Sequence, residues 1–241
     1  MDSLELFRAW VQEARRMVFF GGAGVSTESG IPDFRSVDGL YHQQFDFPPE
    51  VMLSHSFFVR HPEAFFDFYR KKLIPPANIR PNAAHEKLAQ WEKDGKLLAI
   101  VTQNIDGLHT LAGSKNVFEL HGSVYRNHCT RCGKAYGVEA VRDSAGVPRC
   151  ECGGVIKPDV VLYGESLDKY TIMGACREIS QADVLIVAGT SLAVQPAASF
   201  IDYFGGRELV VINPDATSAD ERATLVIRGR VGEAMENIVV R

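Results

Sequence analysis

The chain has 241 residues, of which 46% are hydrophobic, and its formal net charge is −4 at pH 7. This length and composition exclude a disordered chain and are sufficient for one large domain or for one domain with an insertion. The negative charge excludes a general attraction to nucleic acid or anionic lipid, so any basic binding surface would have to be local.

The N-terminus and the cysteines indicate a cellular compartment. The first residues lack the basic and apolar regions of a signal peptide, and no apolar run approaches the ~20 residues that span a membrane. Four of the five cysteines lie between Cys129 and Cys152, which in a reducing compartment indicates a metal site rather than disulfides. We therefore expect a cytoplasmic protein.

The first predicted elements are a helix over residues 3–16 and a strand over 17–20. Asp2 and Glu5 resemble a capping pair, and apolar residues then recur at helical spacing. The strand leads into glycines at positions 21, 22 and 24, where uncovered backbone amides would let a pyrophosphate approach a helix N-terminus. The G-x-G-x-x-G fingerprint is incomplete because Thr27 takes the place of its last glycine, so an ordinary turn is also consistent with these residues.

The next segment, residues 29–36, reads Ser-Gly-Ile-Pro-Asp-Phe-Arg-Ser. Gly30 and Pro32 keep it from being an ordinary helix, and it places an acid, an aromatic ring and a guanidinium side by side. Core packing does not need that set of side chains. Together with the preceding G-A-G-x-S, the segment resembles the sirtuin family of NAD-dependent protein deacylases, whose hallmark is G-A-G-x-S followed by G-I-P-D-F-R-S.

Residues 37–80 interleave aromatic residues with prolines, which predicts an insertion of short helices rather than sheet. Phe65, Phe68 and Tyr69 share one helical face, and we interpret this face as core. Family members that prefer acidic acyl groups carry Tyr-x-x-Arg here, whereas this chain has Tyr69 followed by Lys72. Because lysine lacks the bidentate fork of arginine, the substitution favours an acetyl-like substrate without excluding others.

The rest of the chain alternates helices with apolar runs, which predicts a doubly wound α/β fold with a mostly parallel, Rossmann-like sheet. Asn82 should cap a helix that Gly95 stops, a second helix should run from 167 or 168 to about 180, and a short one should begin at Val231. The strands are predicted over 97–101, 117–120, 184–188, 209–212 and 224–227.

Polar side chains cluster where the strand over 97–101 ends, which is where open α/β sheets bind ligands. Turn formation alone could explain Asn104 and Asp106, but it does not explain Gln103 as well. The surrounding T-Q-N-I-D-x-L-H is a second hallmark of the sirtuin family. The cluster therefore indicates a functional site.

A histidine, His121, follows the strand over 117–120 within a third hallmark, E-L-H-G. A histidine after a strand is often only a satisfied polar residue. An imidazole at the sheet edge, with an ordinary pKa near ~6.5, is nevertheless suited to act as a general base. We assign this role to His121, with His109 and His128 as the alternatives.

The cysteines form two pairs, Cys129-x-x-Cys132 and, after seventeen intervening residues, Cys150-x-Cys152. Four thiolates suit a tetrahedral Zn²⁺ with no open position, so the zinc would be structural rather than catalytic. The second pair departs from the usual C-x-x-C of the family by one residue. His128 could replace a ligand or contact one, and unrelated surface cysteines are the other interpretation.

Residues 157–165 resemble the K-P-x-V-V-x-F-G-E segment of the family, with Tyr163 where phenylalanine is commoner. We expect this segment to return to the main sheet, and a simple core strand is the alternative. The resemblance implies that its backbone pairs with a substrate peptide as an added strand. It also implies a set of substrate-binding residues, Val160, Val161, Tyr163, Gly164, Glu165 and Val194.

The resemblance further implies the residues that bind NAD⁺ and those that act in catalysis. His121 and Asn104 are the catalytic residues, and Phe34 would shield the reactive centre on a loop ordered by Asp33 and Arg35. G-T-S-L-x-V-x-P at 189–196 is a further match. The cofactor-binding set is Gly22, Ala23, Gly24, Ser26, Thr27, Asp33, Phe34, Arg35, Gln103, Asn104, Ile105, Asp106, Gly189, Thr190, Ser191, Asn213 and Val231.

These features predict a Rossmann-like domain in three parts, 1–36, 81–123 and 158–241. The two insertions are the cofactor loop with helices at 37–80 and a zinc-binding module at 124–157. The implied activity is NAD-dependent deacylation of an acyl-lysine protein or peptide, which yields nicotinamide, free lysine and O-acyl-ADP-ribose.

Other activities are less well matched by the sequence. An NAD-dependent ADP-ribosyltransferase would share the cofactor site. A zinc-containing nucleic-acid module would rest only on Arg126, Arg131, Lys134, Arg142 and Arg149, which are more simply a solvated surface. A dehydrogenase is disfavoured by the missing glycine, and neither a membrane nor a nucleic acid is expected as a partner.

Overall fold

The computed structural model describes residues 2–33, 39, 47–236 and 238. Its helices are α1 (Ser3–Glu13), α2 (Pro49–Met52), α3 (His55–Arg60), α4 (Pro62–Lys72), α5 (Ala83–Lys93), α6 (Leu108–Leu111), α7 (Glu139–Arg142), α8 (Lys169–Gln181) and α9 (Val231–Glu236). Its strands are β1 (Met17–Gly21), β2 (Leu97–Thr102), β3 (Val117–Glu119), β4 (Gly122–Cys129), β5 (Ala135–Tyr136), β6 (Ile156–Val160), β7 (Val184–Ala188), β8 (Glu208–Ile212) and β9 (Leu225–Ile227).

Six strands form one sheet in the order β3-β2-β1-β7-β8-β9, and every pair in it is parallel. The chain builds outward from β1 to one edge and then returns to β7 on its other side. The connections that follow β1 and β7 therefore lead away in opposite directions, which is the topology that forms a ligand crevice outside the carboxyl ends of these strands. The predicted doubly wound fold is confirmed.

Both faces of this sheet are covered, as a parallel sheet requires. On one face, Phe7 of α1 and Trp91 of α5 pack edge to face with ring centroids 6.4 Å apart, and both side chains are buried. On the other face, Ile179 of α8 and Phe200 of a short 3-10 helix pack against the strands. Each large side chain buried in this way stabilises the fold by about 1.5–3 kcal/mol relative to an exposed one.

A second, smaller body contains the helices α2–α4 and an antiparallel sheet in the order β5-β4-β6. Its core includes the aromatic face of α4, where Phe65 stacks on Tyr69 with centroids 5.6 Å apart. The short-helix insertion and the core role of that aromatic face are confirmed for the described residues. Residues 37, 38 and 40–46 of the insertion lie outside them.

The prediction that residues 157–165 return to the main sheet is wrong. Strand β6 pairs antiparallel with β4 in the smaller sheet. Its residues alternate between buried and half-buried, whereas every residue of β1 and β7 is buried. That alternation marks a strand with one covered face, and Pro158 is acceptable because β6 lies at an edge.

Most other predicted elements are confirmed to within a residue or two, including the capping box of Asp2 and Glu5. Helix α1 is shorter than predicted because the chain turns at Ala14, after which the amides of Arg15 and Arg16 donate to the carboxylate of Asp183. In the part of the chain that the structure describes, no helix combines the length and the apolar character needed to cross a membrane.

Candidate active site

The predicted polar residues meet at the crevice outside the carboxyl ends of β1 and β7, where the connections lead away in opposite directions. Each follows the carboxyl end of a parallel strand, so the topology alone brings them to one edge of the sheet. The residues that gather there are Ala23 and Ser26 after β1, Gln103, Asn104 and Asp106 after β2, His121 after β3, Thr190 and Ser191 after β7, and Asn213 after β8.

The glycine turn after β1 packs directly against the loop after β7. The amide of Gly24 donates to the carbonyl of Gly189 at 2.8 Å, and the amide of Gly22 donates to that of Ala188 at 3.3 Å. A Cβ on Gly24 would lie 2.8 Å from the Gly189 Cα, which leaves no room for a side chain. Glycine is therefore required here for close backbone packing, and these two amides are already used within the protein.

Two short 3-10 helices, Ala23–Val25 and Thr27–Ser29, follow this turn in place of an α-helix. The Thr27 hydroxyl donates to the carbonyl of Gly24, a residue of the first 3-10 helix, at 2.9 Å. The chain then enters the segment of residues 29–36, of which Asp33 is half-buried and Phe34 and Arg35 lie outside the described residues.

Ser26 joins Asn104 and Asp106 into one buried network. Its hydroxyl donates to Oδ2 of Asp106 at 2.7 Å and accepts from Nδ2 of Asn104 at 3.0 Å. The other Asp106 oxygen accepts from the amide of Leu108 at 2.9 Å. Burial raises the pKa of Asp106, and these hydrogen bonds oppose the increase. The network holds a carboxyl and an amide side chain in fixed positions at the floor of the crevice.

Gln103 links the strand ends on either side of β1. Its Nε2 donates to the Thr190 hydroxyl at 2.9 Å, and that hydroxyl in turn accepts from the amide of Leu192. At the far end of the crevice, Nδ2 of Asn213 donates to the carbonyl of Asp215 at 3.0 Å. These contacts fix the amide side chains that the sequence singled out.

His121 is held in one tautomer by the backbone. Its Nδ1 lies 2.9 Å from the Gln103 carbonyl, which can only accept, so Nδ1 carries the proton and Nε2 has a free lone pair. Burial lowers the pKa of His121, and the bond to the carbonyl partly opposes this change. A neutral imidazole with an available Nε2 is the form that a general base requires.

The alternative histidines are less suited to that role. His109 is 2% exposed, and within the described chain neither of its ring nitrogens has a hydrogen-bond partner. His128 pairs with Asp159 in the smaller sheet. Neither ring therefore offers a positioned nitrogen to the crevice.

The predicted peptide-binding segment lies between the crevice and the helical insertion. The Val161 amide donates to the His121 carbonyl at 3.0 Å, so the segment is attached directly to the catalytic candidate. Tyr163 exchanges backbone bonds with the turn before α3, donating to Leu53 at 3.0 Å and accepting from the His55 amide at 2.9 Å. Val194, on the loop after β7, is half-buried.

Two of the predicted cofactor-binding residues, Val231 and Ile105, are apolar residues that the fold covers fully or in part. Val231, the first residue of α9, is only 1% exposed, and its side chain packs in the core of the main sheet. The half-buried Ile105 accepts a bond from the Val124 amide at 3.1 Å, which ties the amide cluster to β4.

The sulfur atoms of Cys129, Cys132, Cys150 and Cys152 all lie within 4.8 Å of one another. Two of the distances are 3.4 Å and 3.6 Å, close to the separation of about 3.8 Å that Zn–S bonds of 2.3 Å give in a tetrahedron. The amides of Arg131 and Cys132 point to the Cys129 sulfur at 3.3 Å and 3.5 Å. The four residues therefore fit a structural zinc ion, and the shorter spacing of the second pair does not prevent the cluster.

Three residues around these sites were not among those predicted from the sequence. Tyr136 donates its hydroxyl to the Cys150 sulfur at 3.0 Å, and His55 and Lys157 both contact the carboxylate of Glu165. Lys157 lies within the K-P-x-V-V pattern and could have been singled out. His55 could not, because 110 residues separate it from its partner.

The fold and the site define a doubly wound α/β protein with a polar crevice at its switch point and a four-cysteine metal site. The model of the Sir2 family matches residues 22–196. The chain is 54% identical over 243 residues to an NAD-dependent protein deacetylase of Clostridium acetobutylicum, with 99% of each chain covered. It is 42% identical to one of Staphylococcus aureus over 241 residues, with 99% of this chain and 98% of that protein covered.

Solved structures of Sir2 proteins are also similar to this chain. A Sir2 complex with a p53 peptide and NAD⁺ matches with a TM-score of 0.87 at 39% identity, covering 99% of this chain and 97% of that chain. A Sir2 complex with deacetylated p53 peptide and 3'-O-acetyl-ADP-ribose matches with a TM-score of 0.89, at 39% identity and with 96% and 95% covered. The chain belongs to the Sir2 family, the sirtuins, as its motifs predicted.

Proposed function

We propose that this sirtuin is an NAD-dependent protein lysine deacylase whose general base is His121. The observation that carries the assignment is the bond from Nδ1 of His121 to the Gln103 carbonyl, which leaves Nε2 as the proton acceptor. The carbonyl that this imidazole contacts belongs to Gln103, which directly precedes Asn104 of the buried network with Ser26 and Asp106. The names of the relatives and of the solved complexes support the same activity.

In this proposal, each polar side chain of the crevice has a separate task. NAD⁺, when bound, would supply a ribose carbon at which the acyl oxygen of the substrate replaces nicotinamide. Asp106 would hold the nicotinamide carboxamide, while Asn104 and Gln103 position the ribose, which is an effect of orientation rather than acid–base chemistry. His121 would then accept a ribose hydroxyl proton at Nε2, so that this oxygen can bond to the acyl carbon. The bond from that carbon to the lysine nitrogen breaks, and the lysine leaves in its protonated form.

We also propose an uncharged, acetyl-like acyl group. Lys72 is exposed at the end of α4, whereas Tyr69 is fully buried, so the two side chains do not share one surface. Within the described residues the Tyr69 hydroxyl has no hydrogen-bond partner. Tyr69 and Lys72 therefore do not form a shared binding site for an acidic acyl group.

The basic residues of the zinc module do not favour nucleic-acid binding. Arg126 pairs with Glu119, Lys134 with Glu151 and Arg142 with Asp143. Arg131 and Arg149 donate to backbone carbonyls at Cys152 and Gly153. Neutralised and internally bonded side chains of this kind leave little positive potential for a phosphate backbone.

The proposal is tested by incubating the protein with NAD⁺ and peptides that carry acetyl-, propionyl-, longer-chain or succinyl-lysine. Nicotinamide release and peptide mass report the reaction, and an adenine-labelled NAD⁺ reports where ADP-ribose goes. We expect deacylation of the acetyl peptide and label in a soluble acyl-ADP-ribose. Label on protein without deacylation would instead indicate an ADP-ribosyltransferase.

The variant His121→Ala tests the assignment of the base. It should lose deacylation while still binding NAD⁺, because the remaining crevice residues are unchanged. His61→Ala, at an exposed histidine between α3 and α4, is the matched control and should keep wild-type turnover. Turnover by His121→Ala at the wild-type rate would rule out this role of His121.

A further inference from the structure

The carboxylate of Glu165 is fully engaged inside the protein. Oε1 accepts from Nδ1 of His55 at 2.8 Å. Oε2 accepts from Nζ of Lys157 at 3.1 Å and from the amide of Leu162 at 2.9 Å. The side chain is only 21% exposed. Both oxygens are thus engaged by three different parts of the chain, and the carboxylate connects these parts to one another.

Lys157 depends on this carboxylate. Its side chain is 12% exposed, and Nζ also donates to the carbonyls of Pro158 at 3.2 Å and Val160 at 3.1 Å. A largely buried ammonium group is costly without a counter-charge. Glu165 supplies that charge within the described structure, so removing it would release Lys157 and the two carbonyls that the lysine holds.

The same carboxylate closes a turn in the backbone. The Glu165 amide donates to the Leu162 carbonyl at 2.9 Å, and the Leu162 amide donates to the Glu165 side chain. Gly164 allows this turn because its φ is +88°, in the left-handed region. His55 adds a second connection, since its amide binds the Tyr163 carbonyl and its ring binds Glu165.

We propose that Glu165 is a positioning residue that holds the backbone of residues 160–164 in the shape that receives the acyl-lysine peptide, without contacting the peptide itself. This inference rests on the proposed deacylase function. It changes the role expected for Glu165, which the family resemblance placed among the substrate-binding residues. Burial would raise the pKa of Glu165, but the Leu162 amide, His55 and Lys157 lower it overall, which agrees with an ionised clamp.

The kinetic test uses Glu165→Gln, Lys157→Met and the double variant on two acetyl-lysine peptides, one with basic and one with neutral flanking residues. Each single variant should raise the KM for both peptides by about tenfold, with kcat and the KM for NAD⁺ within about twofold of wild type. The double variant should be no worse than the poorer single variant, because both changes break one unit. Asp67→Asn, which removes an exposed carboxylate paired with Lys71, is the control and should change neither KM.

A direct charge contact with substrate would give a different pattern. Glu165→Gln would then raise the KM only for the basic peptide, and the effects of the two single variants would add. Either result overturns the proposal. Equal KM values for Glu165→Gln and wild type on both peptides would also overturn it.

Hydrogen exchange separates this inference from the proposed function because it needs no substrate. The amides of Leu162 and Tyr163 should exchange at least tenfold faster in Glu165→Gln than in wild type, and no faster in Asp67→Asn. Unchanged exchange would overturn the clamp even if the enzyme is a deacylase. If the wild-type protein shows no NAD-dependent deacylation, the proposed function fails, and the exchange result then decides the positioning of this segment alone.

Discussion

Acid should destabilise this protein through a pair of buried histidines next to the active site. His85 on α5 has no exposed surface, and its ring centroid lies 4.7 Å from that of His109. Its Nδ1 lies 2.9 Å from Oδ1 of Asn82 and 3.3 Å from the Asn82 amide nitrogen, while Nε2 has no partner among the described residues. Burial lowers the pKa of His85 to about 4.

The sign and the size follow from proton linkage. An unfolded histidine has a pKa of about 6.5, so between that value and about pH 4 the unfolded chain binds more protons than the folded one. His85 therefore does not lower the unfolding free energy above pH 6.5, and the unfolding free energy falls as the pH drops from 6.5 towards 4. At pH 5 the loss from His85 is about 2 kcal/mol. Burial and the neighbouring His85 also lower the pKa of His109, which adds a loss of the same sign.

Urea unfolding at pH 7 and pH 5 measures this loss, with tryptophan fluorescence as the signal. The wild-type unfolding free energy should fall by about 2 kcal/mol or more between these two values, and His85→Gln should remove about 2 kcal/mol of that fall. His61→Gln replaces an exposed histidine and serves as the control. The pH difference is compared within each variant, so a constant destabilisation cancels. An equal fall in wild type and His85→Gln would refute the reasoning.

Three further predictions concern the two sites. Because burial lowers the pKa of His121, kcat/KM for deacylation should decline with acid only below pH ~6.5, and a midpoint above that value would contradict a buried neutral base. Gly24→Ala would place a Cβ 2.8 Å from the Gly189 Cα. The variant should lower the unfolding free energy by about 1–3 kcal/mol in urea, and it should bind NAD⁺ more weakly in calorimetry. Tyr136→Phe removes the hydroxyl that donates to the Cys150 sulfur, so the affinity for zinc should fall by about tenfold or more in a chelator competition. Tyr170→Phe alters an exposed ring and should leave the zinc affinity unchanged.

Much of this architecture could be predicted because its signals are local in the sequence. The buried strands are continuous apolar runs, and the helices α1, α5 and α8 begin at the capping residues Asp2, Asn82 and Asp168. The polar residues directly follow strands, so the parallel topology that places strand ends together also places Asn104 and His121 at one crevice. The division of the chain into five segments stays a prediction.

What could not be predicted depends on contacts between distant parts of the chain. Helix α1 ends early because Asp183, which is 168 residues from Arg15, takes up the amides that follow. The partners of Glu165 come from its own turn, from β6 and from α3, whereas the motif match alone indicates a substrate contact. A family pattern records which residues recur together, but it does not state whether a carboxylate faces a ligand or the protein.

The glycines after β1 show how the same residues can satisfy one motif for two physical reasons. In the sequence their lack of side chains indicates access for a pyrophosphate. In the structure, Gly22 and Gly24 each contact the loop after β7 at distances that exclude a Cβ. That contact draws the ends of β1 and β7 together and thereby positions Thr190, which binds Gln103. Loss of either glycine should therefore disturb the far side of the crevice as well as the turn itself. A glycine variant that weakened NAD⁺ binding without altering stability would show that phosphate access, and not packing, is the dominant requirement.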